Sequence, residues 1–180
     1  GYCGEIYAVN GLNEAGLFIE LNNGGPSDRG QANDRFYSTA DLFSLLFDAD
    51  SMQYMDVFFA SMQANAAYLI GAADGKTARS YEWCVDGVKH GEETMPVGVM
   101  AMTNHFVHPD WDRPLPTDET SWNSLTRRKN LLQLAEDYKG QIGISCMQDI
   151  MMRPLSEGGA LSELTVYQMV VMPGNQKMWL

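Results

Sequence analysis

Positive charge is what this sequence has least of: 12 Lys and Arg stand against 23 Asp and Glu, a formal net charge of -11 over 180 residues. A chain of that sign repels phosphate backbones and anionic bilayer surfaces, so no nucleic-acid partner is expected. Long apolar runs are missing too, and with them any segment able to form a membrane-spanning helix. Cysteine is scarce: Cys3, Cys84 and Cys146 are odd in number, widely spaced and form no Cys-x-x-Cys unit. That pattern indicates neither a zinc ribbon nor a disulfide framework and leaves the compartment open, cytoplasmic or exported. Internal repeats and low-complexity tracts are absent. The sequence opens on Gly-Tyr-Cys, with no initiator Met and no charged or apolar leader, and breaks off at Leu180 inside a strand-like run. It is therefore expected to be a processed product, a cloned fragment or the ordered part of something longer.

What is present supports a single domain over 1–180: hydrophobic residues make up 45% of the chain, enough for a sizeable core. Glu5–Asn10 and Leu17–Asn22 alternate apolar and polar residues as paired strands do. The stretch from Asn22 to Asn33, rich in Gly, Asn, Asp and Pro, is a predicted loop. Ser38-x-x-Asp41 has the form of a capping box ahead of Leu42, Leu45 and Leu46. Ser51 is placed to cap a second helix, whose Met55, Phe58, Phe59 and Met62 make a stripe best read as core packing.

"AAYLIGAAD" and "TARSYEWC" flank Asp74-Gly75-Lys76 and predict a β-hairpin. Pro96–Asn104, almost continuously apolar, predicts a strand buried on both faces. After a Pro- and Asp-rich loop, Leu131, Leu134, Ala135 and Tyr138 mark a helix over Ser124–Tyr138. A shorter helix is expected from Ser145-x-x-Gln148, ending before Pro154, and a closing hairpin turns at Pro173-Gly174-Asn175. Strand pair, helix pair, strands, helices, strand pair: this order predicts α+β with mainly antiparallel sheet.

Several clusters bear on chemistry. "TNHFVHPDW" brings His105, His108 and Asp110 together in sequence, but without the helical His-Glu-x-x-His setting of a zinc protease. A polar loop is the stronger reading there, and a metal-dependent hydrolase the weakest functional one. Cys84 and Cys146 sit in no nucleophile motif and are read as semi-buried thiols. Asn22 and Asn104 each end an apolar strand, where a carboxamide can donate to a developing oxyanion; bonding to turn backbone is the competing and commoner use. Arg127 and Arg128 fall in a helical first turn, where the dipole disfavours cations, so at least one is expected to serve a cleft.

Taken in order, these segments resemble the choloylglycine hydrolase and acyl-coenzyme A:6-aminopenicillanic acid acyltransferase group of N-terminal nucleophile hydrolases. "GYCGEIYAVNGLNEAGLFIELN" resembles the family's Gly-x-Asn-Glu-x-Gly-Leu hairpin, and "LIGAADGKTARSYEW" the next strand–turn–strand, with Asp74, Gly75 and Glu82 in place. "TNHF" leans toward the acyltransferase branch, while "SLTRRKNLL" and "TVYQMVVMPGNQKMWL" match the late helix and closing strands. The resemblance implies a four-layer αββα sandwich with antiparallel sheets, incomplete in this chain. It further implies attack on linear amide bonds of small N-acyl compounds by an N-terminal cysteine released through self-cleavage.

No cofactor and no metal is implied. By position, Asn22 becomes the main oxyanion donor with Asn23 as its fallback, Asn104 the second asparagine of the site and Arg127 the supporting arginine. Phe36 and Trp111 are guessed to line the acyl pocket. The implied nucleophile, with the Arg and Asp that follow it, lies upstream of the hairpin, and Cys3, preceded by Gly1 and Tyr2, is no substitute. The expected partners are thus a small N-acyl amide and the upstream segment of the same precursor, with a homo-oligomer also open. This chain alone is expected to be inactive. A non-catalytic scaffold or binding protein is the alternative.

Overall fold

A computed structural model of the chain describes residues 10–32, 38–94, 98–165 and 167–180. Five strands form one antiparallel sheet in chain order: β1 (Asn10–Leu12), β2 (Phe18–Asn23), β3 (Tyr68–Ala73), β4 (Ala78–Cys84) and β5 (Gly87–Thr94). Helices α1 (Ser38–Asp48) and α2 (Met52–Ser61) fall between β2 and β3. Helices α3 (Ser124–Asp137) and α4 (Ile144–Met152) come later, followed by a two-stranded ribbon of β6 (Val170–Met172) and β7 (Lys177–Trp179). The fold is α+β with antiparallel sheet, as the element order predicts. Among the described residues no helix is long and apolar enough to cross a membrane.

Strand alternation assigns the two sheet faces. Ile19 of β2, Ile70 and Ala72 of β3, and Tyr81 and Trp83 of β4 join Leu42 and Leu45 of α1 with Met55 and Phe59 of α2 in the main core. The Phe59 ring lies 4.4 Å from Tyr81 and meets Trp83 edge-on at 5.2 Å. Met55, Phe58 and Phe59 of the stripe are thus core packing, as their spacing predicts, whereas Met62 lies past the helix end and is exposed. The opposite face carries Glu20, Asn22, Leu69, Gly71, Ser80, Glu82 and Cys84. There Leu69 and Cys84 pack with Ala67 and Phe106, flanked by Met102 and Trp111.

Helix starts follow local chemistry in one case and tertiary contact in another. Ser51 Oγ accepts from Tyr54 N at 3.3 Å, the expected cap. Ser38 is held instead by a reciprocal pair with Asn65, each backbone N–H donating to the other's side-chain oxygen at 2.9 Å. Ser145 lies inside the first turn of α4, which starts from Gly143 without a side-chain cap. The helix ends at Met152, ahead of Pro154 as predicted.

Two strand assignments differ from expectation. Residues 98–103 of the predicted strand Pro96–Asn104 carry no regular secondary structure. No described strand pairs with them, and side chains take over nearby backbone groups: Arg128 Nε donates to the Ala101 carbonyl at 3.1 Å, and Asn104 N donates to Ser124 Oγ at 2.7 Å. Conversely β5 forms from "GVKHGEET", too polar to read as a strand, because Asp86-Gly87 reverses the chain with Gly87 at φ +123° and lays Val88 opposite Trp83. The predicted strand Glu5–Asn10 lies outside the described residues except for Asn10, as do Cys3 and Phe36.

Candidate functional site

The β1–β2 turn is anchored before it can deliver anything. Asn13 Oδ1 accepts from Leu17 N at 3.0 Å, while its Nδ2 donates to the Leu46 and Ala49 carbonyls at 3.0 and 2.7 Å. One carboxamide thereby fixes the turn and covers the C-terminal end of α1, with Gly16 at φ +78° completing the reversal. β2 runs from this anchor to Asn22 and Asn23.

The two asparagines then part in role. Asn23 Oδ1 accepts from Gly25 N at 2.7 Å, an Asx turn. Gly24 N donates to the Ala67 carbonyl at 2.9 Å, and a Cβ at Gly24 would lie 3.0 Å from both the Ala67 carbonyl carbon and Phe106 Cε1. The turn reading therefore fits Asn23. The Asn22 carboxamide has no hydrogen bond among the described residues and faces a cavity of about 840 Å³.

Arg127 borders the same cavity. Its Nη2 donates to Asn104 Oδ1 at 2.5 Å and its Nε to the Trp122 carbonyl at 2.9 Å. Asn104 Nδ2 donates in turn to the Asn23 carbonyl at 2.9 Å. The structure thus links the start of α3, through Asn104, to the end of β2. Asn22 and Arg127 meet at the cavity; Asn104 ties their two elements together and does not border it. The remaining wall is mixed, with Glu20, Asn10 and Gln168 among apolar side chains that include Met100, Met102, Met147, Met151 and Met169. Thioether side chains adapt readily to an occupant's shape. Neither described cysteine, Cys84 or Cys146, borders it.

A Ser–His contact beside the cavity escaped sequence reading, since Ser124 and His105 come from separate segments. Ser124 Oγ lies 2.7 Å from His105 Nδ1 and 2.9 Å from Thr103 Oγ1, and it accepts from Asn104 N. Both residues are buried, and burial, then the Arg128 and Arg127 charges, push the His105 imidazole below its usual range. Ser124 Oγ donates its proton to Thr103 Oγ1, whose own proton goes to the Ser124 carbonyl, so a neutral ring donating Nδ1–H to Ser124 Oγ fits this geometry. The pair holds Asn104 at the start of α3 and offers no free nucleophile.

The metal reading of His105, His108 and Asp110 finds no support among the described residues. His105 is turned to Ser124, and His108 Nδ1 accepts from Asp110 N at 3.2 Å within its own loop. Asp28, Cys84 and Asp86 do converge, but Arg113 fills the gap, 2.7 Å from each carboxylate and 4.0 Å from the sulfur.

Trp111, guessed to line the acyl pocket, stands elsewhere. It stacks on Phe106 at 5.3 Å and donates Nε1–H to Glu82 at 2.6 Å. Its polar edge needed a buried acceptor, and Glu82 supplies one. No protein-family model matches the chain, and no curated protein matches it.

Proposed function

We propose that this chain is the central and C-terminal part of a cysteine N-terminal nucleophile amidohydrolase or acyltransferase with a four-layer αββα fold. The supporting observation is that Asn22, whose carboxamide has no hydrogen bond among the described residues, and Arg127 border one methionine-rich cavity while Asn104 bonds Arg127 to the strand that bears Asn22.

In this reading the nucleophile comes from residues preceding Gly1, and its own α-amine removes the thiol proton. The thiolate attacks the amide carbonyl, and Asn22 Nδ2–H stabilises the oxyanion that forms. The C–N bond breaks, the amine leaves with the transferred proton, and the acyl group stays as a thioester. Water or an acceptor amine then releases it. The methionine-lined cavity holds the acyl part of an N-acyl amide. Asn104 is a positioning residue, since both ends of its carboxamide are already bonded.

The test assays the full-length gene product against a panel of N-acyl amides by amine release, with Edman sequencing of the mature N-terminus. The expected result is an N-terminal cysteine and turnover that falls about 10²–10³-fold in Asn22→Ala. No such cysteine, or turnover untouched by Asn22→Ala, refutes the proposal. A non-catalytic binding protein is then the better reading, favoured by the absence of a described cysteine at the cavity.

A further inference from the structure

Two residues before Asn22, on the same face of β2, a second polar side chain reaches the cavity: Glu20. Among the described residues nothing hydrogen-bonds or ion-pairs with its carboxyl group. Its direct cross-strand neighbours are Asn10 on β1 and Gly71 on β3. A Cβ at Gly71 would lie 2.9 Å from Glu20 Cγ, 3.1 Å from Glu20 Oε1 and 3.1 Å from Met102 Cε. The neighbouring strand thus gives up a side chain where this carboxyl rests. Arg127, the cation at the same cavity, sends Nη2 to Asn104 and Nε to the Trp122 carbonyl, and neither bond goes to Glu20.

An unpartnered carboxyl in such surroundings costs stability, so the fold gains nothing by keeping it. What it does offer is an acceptor for a positive group. Beside it, Asn10 Nδ2 donates to Tyr167 Oη at 2.6 Å, which leaves the Asn10 carbonyl oxygen as a second acceptor on the same row. An ammonium carries three donors and needs more than one acceptor once out of water. The methionine wall suits an apolar chain attached to it.

We propose that Glu20 is the specificity-determining residue of this cavity and selects ligands that join an ammonium group to an apolar chain. Under the amidase reading, on which only the substrate's identity rests, the substrate would carry a free amine besides its amide bond. Burial raises the Glu20 carboxyl above its ordinary range, and a bound cation opposes that shift.

The experiment is calorimetric titration of the full-length protein with n-octylammonium, 1-octanol and octanoate, repeated on Glu20→Gln, with thermal melts of both proteins. Octylammonium should bind about tenfold or more tighter than octanol, the advantage of a charge-assisted bond over a neutral one. Octanoate should bind weakest. Glu20→Gln should erase the preference, leave octanol binding unchanged, and melt no lower than wild type. Equal binding of the amine and the alcohol overturns the proposal, as does a preference that survives Glu20→Gln or a failure of all three to bind. A variant that melts clearly lower also overturns it, since Glu20 would then serve the fold. Cation selection without amide turnover sinks only the amidase reading, and turnover without selection sinks only this one.

Discussion

Glu82 offers the most exacting test of how the candidate site is supported. Its side chain is buried, with the residue only 1% exposed, and it gathers the loop that leads into the short 3₁₀ turn Pro109–Trp111. Oε1 accepts from Val107 N at 2.5 Å and His108 N at 3.2 Å, and Oε2 accepts from Trp111 Nε1 at 2.6 Å. β5 makes room for it, since a Cβ at Gly91 would stand 2.8 Å from Oε1. Truncation in Glu82→Ala strands these donors and opens a void, while relieving the cost of a buried carboxylate. Hydrogen bonds to a charged group contribute about 1.5–3 kcal/mol each, so after that relief a net loss of about 3–5 kcal/mol is expected. Glu82→Gln keeps one carbonyl oxygen for Val107 and His108 but turns an NH₂ toward the Trp111 N–H. It should cost about 1–2 kcal/mol.

The pH dependence carries a sign of its own. Burial raises the Glu82 carboxyl above its ordinary 4.5, and the bonds from Val107, His108 and Trp111 offset this only in part. A raised carboxyl adds stability below the unfolded value and loses it as pH rises through the folded one. The advantage of wild type over Glu82→Gln should therefore grow as pH is lowered from neutrality toward 4.5. Urea unfolding followed by tryptophan fluorescence measures both quantities. A Glu82→Ala loss below about 1 kcal/mol would refute the clamp, and an advantage that shrinks on acidification would refute the pKa argument.

Other perturbations probe separate links. Asp56 accepts from Tyr81 Oη at 2.7 Å and ion-pairs with Arg79; burial would raise its carboxyl, but the Arg79 and Tyr81 contacts outweigh burial and hold it below 3.8. Its contribution is present above that value and lost as pH falls through the folded one, so the cost of Asp56→Asn, about 1–3 kcal/mol at neutral pH, should fade in acid denaturation. Gly75 and Gly174 touch backbone to backbone, a Cβ on Gly75 falling 2.8 Å from Gly174 Cα. Gly174→Ala should push the β6–β7 ribbon off the β3–β4 turn, lowering stability by about 1–3 kcal/mol and speeding amide exchange in that ribbon first. Arg127→Lys should lose the two-point hold on Asn104 and the Trp122 carbonyl, and with turnover measured on the full-length protein kcat should fall more than KM rises.

Much of the framework is set by the order of residue types. Alternation in "LFIEL" and "YLIGAA", the Asp74-Gly75-Lys76 turn, and the spacing of Met55 and Phe59 each act over a few residues. Local chemistry is sufficient there, so these elements could be read from the chain. The polar end of β2 was legible as something needing an explanation, and Asn22, Asn104 and Arg127 could be singled out from their places at strand and helix ends.

Tertiary structure decided the rest. Asn13 fixes its turn only because the C-terminal end of α1 arrives beside it, and Ser38 finds Asn65 from 27 positions away. Residues 98–103 have an apolar pattern fit for a strand, but a strand requires a ladder partner, and backbone pairing is not written in side-chain pattern. The same holds for Glu20 and Glu82, which are both glutamates on one face of a single sheet. One is surrounded by donors from a distant loop and becomes a clamp. The other meets Gly71 and a methionine-lined hollow, and is left with an acceptor to offer.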